Sequence, residues 1–271
     1  MRPVEFGDCV KGSWREATGA VTDQPFLFLV LFTVMLITSQ VTGHFTQPSL
    51  IVAAFEAARF RQGQPLLHLL MQLGNLLCIL ILSAQVIRYT LLGPLNARAM
   101  GVFDWSLVRY VMTTIVAGIA ICAVGAVIGG GLIIFMYGTH RVHNFFTGIF
   151  TCIALLIIAW AYAITRIEVM LCDAAIGERH TFKANLGATR GRFWTMWLTH
   201  MVVGMPLFFM TIGLGLVLIE TRHTAAFQNI VYVTDAVRVL LIMAFVACSA
   251  SCSAWLYRRF TPDAFRDTAH N

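Results

Sequence analysis

Five side chains set into otherwise apolar stretches are the ones that could do chemistry in this chain. His68, Gln72 and Asn75 fall at i, i+4 and i+7, which is one face of a helix. Asp235 and Arg238 are three apart and can pair on one helix face. Polar and charged groups inside apolar helices are costly, so each is a functional candidate by default. The stripe on the first helix predicts hydrogen bonds between helices, or one wall of a route for a polar solute or a proton. Asp235 and Arg238 stand near the end of their apolar run, where an interfacial ion pair is the simpler expectation.

Other chemistries find little support. No GxSxG, HExxH, phosphate-binding loop or dinucleotide fingerprint occurs. No two carboxylates share the middle of an apolar run, and Glu168 and Asp173 are expected near the surface, in solvent. His140 and His143 have a spacing that suits a metal pair, but the flanking loop sets no geometry for one. Haem between helices would need facing histidines at matched depth, and His68 and His200 stand at opposite ends of their runs. The seven cysteines include no CxxC pair, and most lie in apolar segments as small hydrophobes. Neither disulfide nor zinc site is expected. The chain reads as a non-enzyme without a cofactor.

The elements that must position these side chains are apolar helices. Hydrophobic residues make up 58% of the chain and charged residues 12%, about half the usual charged share. The expected fold is all-α, a polytopic membrane bundle of six spans with short amphipathic interfacial helices. The spans are expected at about 25 to 43, 66 to 92, 111 to 137, 145 to 167, 194 to 220 and 231 to 257, each long enough for a hydrocarbon core of ~30 Å. Gly93-Pro94 stops the second. Residues 1 to 24 form an amphipathic segment, with Phe6, Val10, Trp14, Ala17 and Val21 on its apolar face; it carries too many acidic residues for a signal peptide. Residues 258 to 271 form a tail. A shorter stripe, Met100, Phe103, Leu107 and Tyr110, precedes the third span. Trp14, Trp105 and Trp194, at near-equal spacing before successive span pairs, suggest three helix hairpins.

Gly125 and Gly129 in the third span are spaced for close helix packing, either within the chain or against a second copy of it. The net charge is +6, but the basic residues flank apolar runs and form no continuous patch, so nucleic acid is not an expected partner.

Charge asymmetry orients the bundle. Arg2, Lys11 and Arg15 precede the first span; Arg88, Arg98 and Arg109 flank the second loop; Arg166, Arg179, Lys183, Arg190 and Arg192 flank the fourth; Arg258, Arg259 and Arg266 follow the last span. The opposite side has Arg59, Arg61, Arg141 and Arg222. The positive-inside rule then places both termini in the cytoplasm.

The longest polar interruption runs from Cys172 to Trp197. Phe182, Leu186, Phe193 and Trp197 share one narrow face, flanked by cations. This is the pattern of a helix lying in the membrane interface, its rings in the acyl boundary and its cationic stems at the headgroups. Arg179, Lys183, Arg190 and Arg192 are the candidates there for anionic lipid or a soluble partner. Ala184 to Trp194, with Arg190-Gly191-Arg192-Phe193-Trp194 leading into a span, resembles a family of bacterial inner-membrane proteins with about six spans and poorly defined function. In some relatives the same membrane region precedes a glycerophosphodiester phosphodiesterase domain. The likeness implies a bacterial inner-membrane location and supplies no catalytic residues; Cys172, Asp173 and Ala174 stand where relatives often have a proline and aliphatic residues.

The function expected from these readings is non-catalytic work in envelope or lipid homeostasis, through contacts with lipid or protein. The alternative is a permease or the membrane subunit of a transporter, with a polar path through the second and sixth spans.

Overall fold

The computed structural model describes residues 6–42, 65–138, 145–177, 191, 193–221 and 227–260, and no strand occurs among them. The helices are α1 (Phe6–Asp23), α2 (Pro25–Thr42), α3 (Pro65–Ala99), α4 (Trp105–Gly138), α5 (Phe145–Ile176), α6 (Phe193–Thr221) and α7 (Phe227–Phe260). Among the described residues, four helices are long and apolar enough to cross a membrane: α3 over Leu69–Ala99, α4 over Trp105–Gly131, α6 over Phe193–Val217 and α7 over Tyr232–Phe260. The α1–α2 pair brings the number to five if it counts as one broken span; the two helices meet at 91°. Pro25 is well placed at the first position of α2, where its missing N–H has no helical partner to lose. Gly93 (φ 81°) breaks α3 just before Pro94, where a residue with a Cβ would be strained. The expected stop is thus a sharp break, followed by a short helical piece to Ala99.

The chain divides into two compact units, Met1–Val102 with His200–Trp255, and Phe103–Thr199 with Leu256–Asn271. Both are discontinuous in sequence.

In the first unit α2 and α1 both pack on α3. Leu80, Ile81, Leu82, Ala84, Val86 and Ile87 make the middle of α3 the buried centre. The packed face of α1 differs from the expected one. Cys9, Ser13, Ala17 and Ala20 are buried, whereas Val21 is exposed. The reason is close approach: a Cβ on Gly12 would lie 2.5 Å from the Trp255 ring of α7. Small residues let the aromatic rings of α3 and α7 reach the α1 backbone, and this outweighs full burial of the bulkier Val10 and Trp14. The Tyr89 hydroxyl donates to the Asp23 carboxylate at 2.7 Å, and Arg98 donates to the Asp23 carbonyl. These bonds fix the corner between α1 and α2 against the end of α3.

In the second unit α4 and α5 pack along each other. Asp104 caps α4 by accepting the Leu107 N–H at 3.0 Å, an N-cap that also favours the helix dipole. Of the stripe expected before this helix, Leu107 and Tyr110 are buried, but Phe103 is 81% exposed; it precedes the cap, so the helical period does not yet apply to it. Arg109 donates to the Gly177 carbonyl at the end of α5, at 3.1 Å. Asp173 is not solvated as expected. It is 2% exposed and accepts a hydrogen bond from the Tyr257 hydroxyl, because the last turns of α7 cover it.

Candidate functional site

Three helices of the first unit form a polar cleft. Gln72 and Asn75 of α3, Thr38 and Ser39 of α2 and Arg238 of α7 line it, with the Met35 and Met71 thioethers among its apolar walls. Its volume is about 60 Å³, room for a few waters or one small group. The periodicity that puts Gln72 and Asn75 on one face of α3 is local; the meeting with α2 and α7 is tertiary.

Thr38 Oγ1 donates to the Met35 carbonyl at 2.9 Å. Ser39 Oγ donates to Asp235 Oδ2 at 3.1 Å. Each of these hydroxyl protons thus has an acceptor within the first unit. Asn75 Oδ1 is buried and has no hydrogen-bond partner, a deficit worth about 1–3 kcal/mol when left unmet. Arg238 can only donate. Asp235, 4% exposed, stands behind Ser39 rather than at a solvated interface.

The structure thus brings Gln72, Asn75 and Arg238 together, with Asp235 one hydrogen bond away through Ser39. His68 falls on the same face of α3 by register; its side chain lies outside the described residues. Thr38 and Ser39 are site residues that the sequence reading missed. They look like the polar end of an apolar run, and only the distant Asp235 gives Ser39 its role.

The cleft ends inside the unit. Beyond Asn75, α3 is almost wholly buried from Cys78 to Leu91, roughly 20 Å of packed helix at 1.5 Å per residue. Gln85 and Arg88 are the polar exceptions with Thr90, whose hydroxyl donates to Ser251 Oγ at 3.3 Å. Arg88 is 0% exposed and donates to the Gly101 carbonyl at 3.2 Å. The sequence reading set it at a loop edge; the chain turning back after Gly93 encloses it instead.

The basic candidates Arg179, Lys183, Arg190 and Arg192 lie outside the described residues, as do His140 and His143. Beside them, in the second unit, an aromatic row is described. Tyr162 meets Phe193 at 5.6 Å, Phe193 meets Trp194 at 5.1 Å and Trp194 meets Trp197 at 5.8 Å. Arg166 stacks on Tyr162 at 5.1 Å, and Trp194 is 62% exposed. Among the described residues no other side chain approaches Gly125 or Gly129 of α4 closely, in a helix whose Val116, Ile119 and Val127 are exposed.

The chain matches no protein-family model, no curated protein and no solved structure.

Proposed function

We propose that the protein is a six-span integral protein of a bacterial inner membrane, related to the family that residues 184 to 194 resemble, with three helix hairpins and both termini in the cytoplasm. Supporting the orientation, each unit ties basic segments to one end of its helices. In the first, Arg98 in the last turn of α3 bonds the α1–α2 corner. In the second, Arg109 at the start of α4 bonds the end of α5, and Tyr257 late in α7 bonds Asp173. These are the segments that the positive-inside rule assigns to the cytoplasm.

Its function on this reading is that of a permease, or the membrane subunit of a transporter, without catalysis of its own. The observation that carries it is the cleft: Gln72, Asn75 and Arg238 gathered with Thr38 and Ser39 beside a buried acceptor. In the proposed orientation the cleft lies toward the outer end of α3, and the buried stretch of α3 from Cys78 to Leu91 lies between it and the cytoplasm. Such an arrangement suits a binding site reached from one side in one state of a transport cycle.

A second reading, envelope or lipid homeostasis through lipid contacts, is favoured by the 91° corner between α1 and α2 and by the exposed Trp194, in the aromatic row on whose Tyr162 ring Arg166 stacks. Rings and cations of this kind suit a headgroup interface. Complementation of a deletion strain separates the two. Gln72→Leu and Arg238→Met are expected to abolish rescue at normal membrane levels, and Trp194→Ala to preserve it. Full rescue by both cleft variants, with loss in Trp194→Ala, would remove the transport reading and leave the lipid one.

A further inference from the structure

We infer that the cleft takes a short-chain monocarboxylate, its carboxylate held by the Arg238 guanidinium and its few carbons set against the Met35 and Met71 side chains. The inference rests on the reading that this cleft holds a polar ligand. A pair that the spacing on α7 allows is not made. Asp235 Oδ2 accepts the Ser39 hydroxyl of α2, and Arg238 makes no hydrogen bond or ion pair among the described residues. Its side chain lines the cleft and is only partly exposed. Arginine cannot shed its charge, so the cleft holds a cation that a bound anion would match. Asn75 of α3 adds to it. Its Oδ1 is sealed in the protein, so the polar atom left to reach a ligand is Nδ2, with two N–H groups. Thr38, Ser39 and Gln72 have further interactions of their own, and no polar atom of theirs is needed.

A carboxylate suits the guanidinium fork because two parallel N–H···O bonds can form at once. Asp235 limits the ligand to one charge. It does not itself line the cleft and is reached through Ser39, whereas Arg238 lines it directly. A single negative charge there lies nearer the guanidinium than the carboxylate, and attraction exceeds repulsion because Coulomb energy falls with distance. A second negative charge would find no second cation, since Arg238 is the one charged residue lining the cleft among the described residues. A protonated amine would meet like charge, and a neutral amide would leave the guanidinium unmatched. Met35, Met71, Val239 and Ile242 supply the apolar walls, and the two thioethers adapt to the shape of a short carbon chain. A volume of about 60 Å³ restricts that chain to about two to four carbons.

The test is binding of tritiated propionate to the full-length protein in nanodiscs of phosphatidylcholine, whose surface carries no net charge. Saturable binding at neutral pH is expected. Unlabelled butyrate should compete, whereas propionamide, propylammonium and inorganic phosphate should each compete at least tenfold less well. Arg238→Gln, which removes the cation, and Asn75→Asp, which turns a donor into a carboxylate, should each weaken binding at least tenfold. Arg238→Lys keeps the charge but loses the fork, so it should bind more weakly than the parent and more tightly than Arg238→Gln. Thermal melts show which variants are folded, and the competition series on the parent protein decides the ligand class without them. The inference is overturned if propionate does not bind saturably, if propionamide, propylammonium or phosphate competes as well as butyrate, or if folded Arg238→Gln binds as the parent does. Should Gln72→Leu and Arg238→Met lose complementation while propionate does not bind, the ligand class alone is wrong. Should both complement fully, the functional reading falls with it.

Discussion

Ser39 on α2 donates its hydroxyl to the buried carboxylate of Asp235 on α7, 3.1 Å away and 196 residues along the chain. The bond ties the bent α1–α2 pair to α7 within the first unit. Ser39→Ala should lower the thermal midpoint in detergent, since a hydrogen bond to a charged group contributes about 1.5–3 kcal/mol. Ser39→Thr, which keeps the hydroxyl, should restore most of it. Equal melting of Ser39→Ala and the parent protein would count against the bond.

The depth of the cleft is open to chemical mapping. With exposed Cys122 replaced by serine, a cysteine at Gln72 should react with a membrane-impermeant maleimide added from the outer side, and a cysteine at Leu82 should not, because Leu82 is fully buried. Comparable labelling at both positions would mean that packed α3 does not close the cleft.

Docking of α1 depends on the absence of a side chain at Gly12. Gly12→Leu must displace the Trp255 ring, since even its Cβ would lie 2.5 Å away. Overpacking of this kind costs about 1–3 kcal/mol. The expected readout is faster proteolysis within residues 6–23 and a lower melting midpoint, whereas Gly7→Leu, in open space, should change neither.

Asp173 and Tyr257 make a buried polar contact in the second unit. Tyr257→Phe removes a donor to a buried carboxylate and should cost about 1.5–3 kcal/mol. Phe103→Ala, at an exposed position, should stay within about 0.5 kcal/mol. Thermal melts of the two variants in the same detergent decide the comparison.

The proposed topology makes a sharper demand. A cytoplasm-dependent fluorescent reporter fused after Asn271 should be active, and a periplasm-dependent phosphatase there should be silent. The reverse pattern would turn the cleft toward the cytoplasm.

Much of this architecture could be read from the residue pattern. Long apolar runs imply all-helical, membrane-length elements, because lipid-facing backbone must satisfy its own hydrogen bonds. Gly93-Pro94 marks the break in α3, and the spacing of Gln72 and Asn75 sets them on one face of it. Each of these is a local property, decided within a few turns of helix. Which distant surfaces meet is settled by contacts between helices far apart in the chain. The small-residue face of α1 is buried because Trp255 and Tyr89 approach it from other helices. Arg88 and Asp173, which read as edge residues, are enclosed by chain that folds back over them. Ser39 has a role only because Asp235 lies opposite. Burial and hydrogen-bond partnership depend on neighbours far away in sequence, and no periodicity within one helix carries that information.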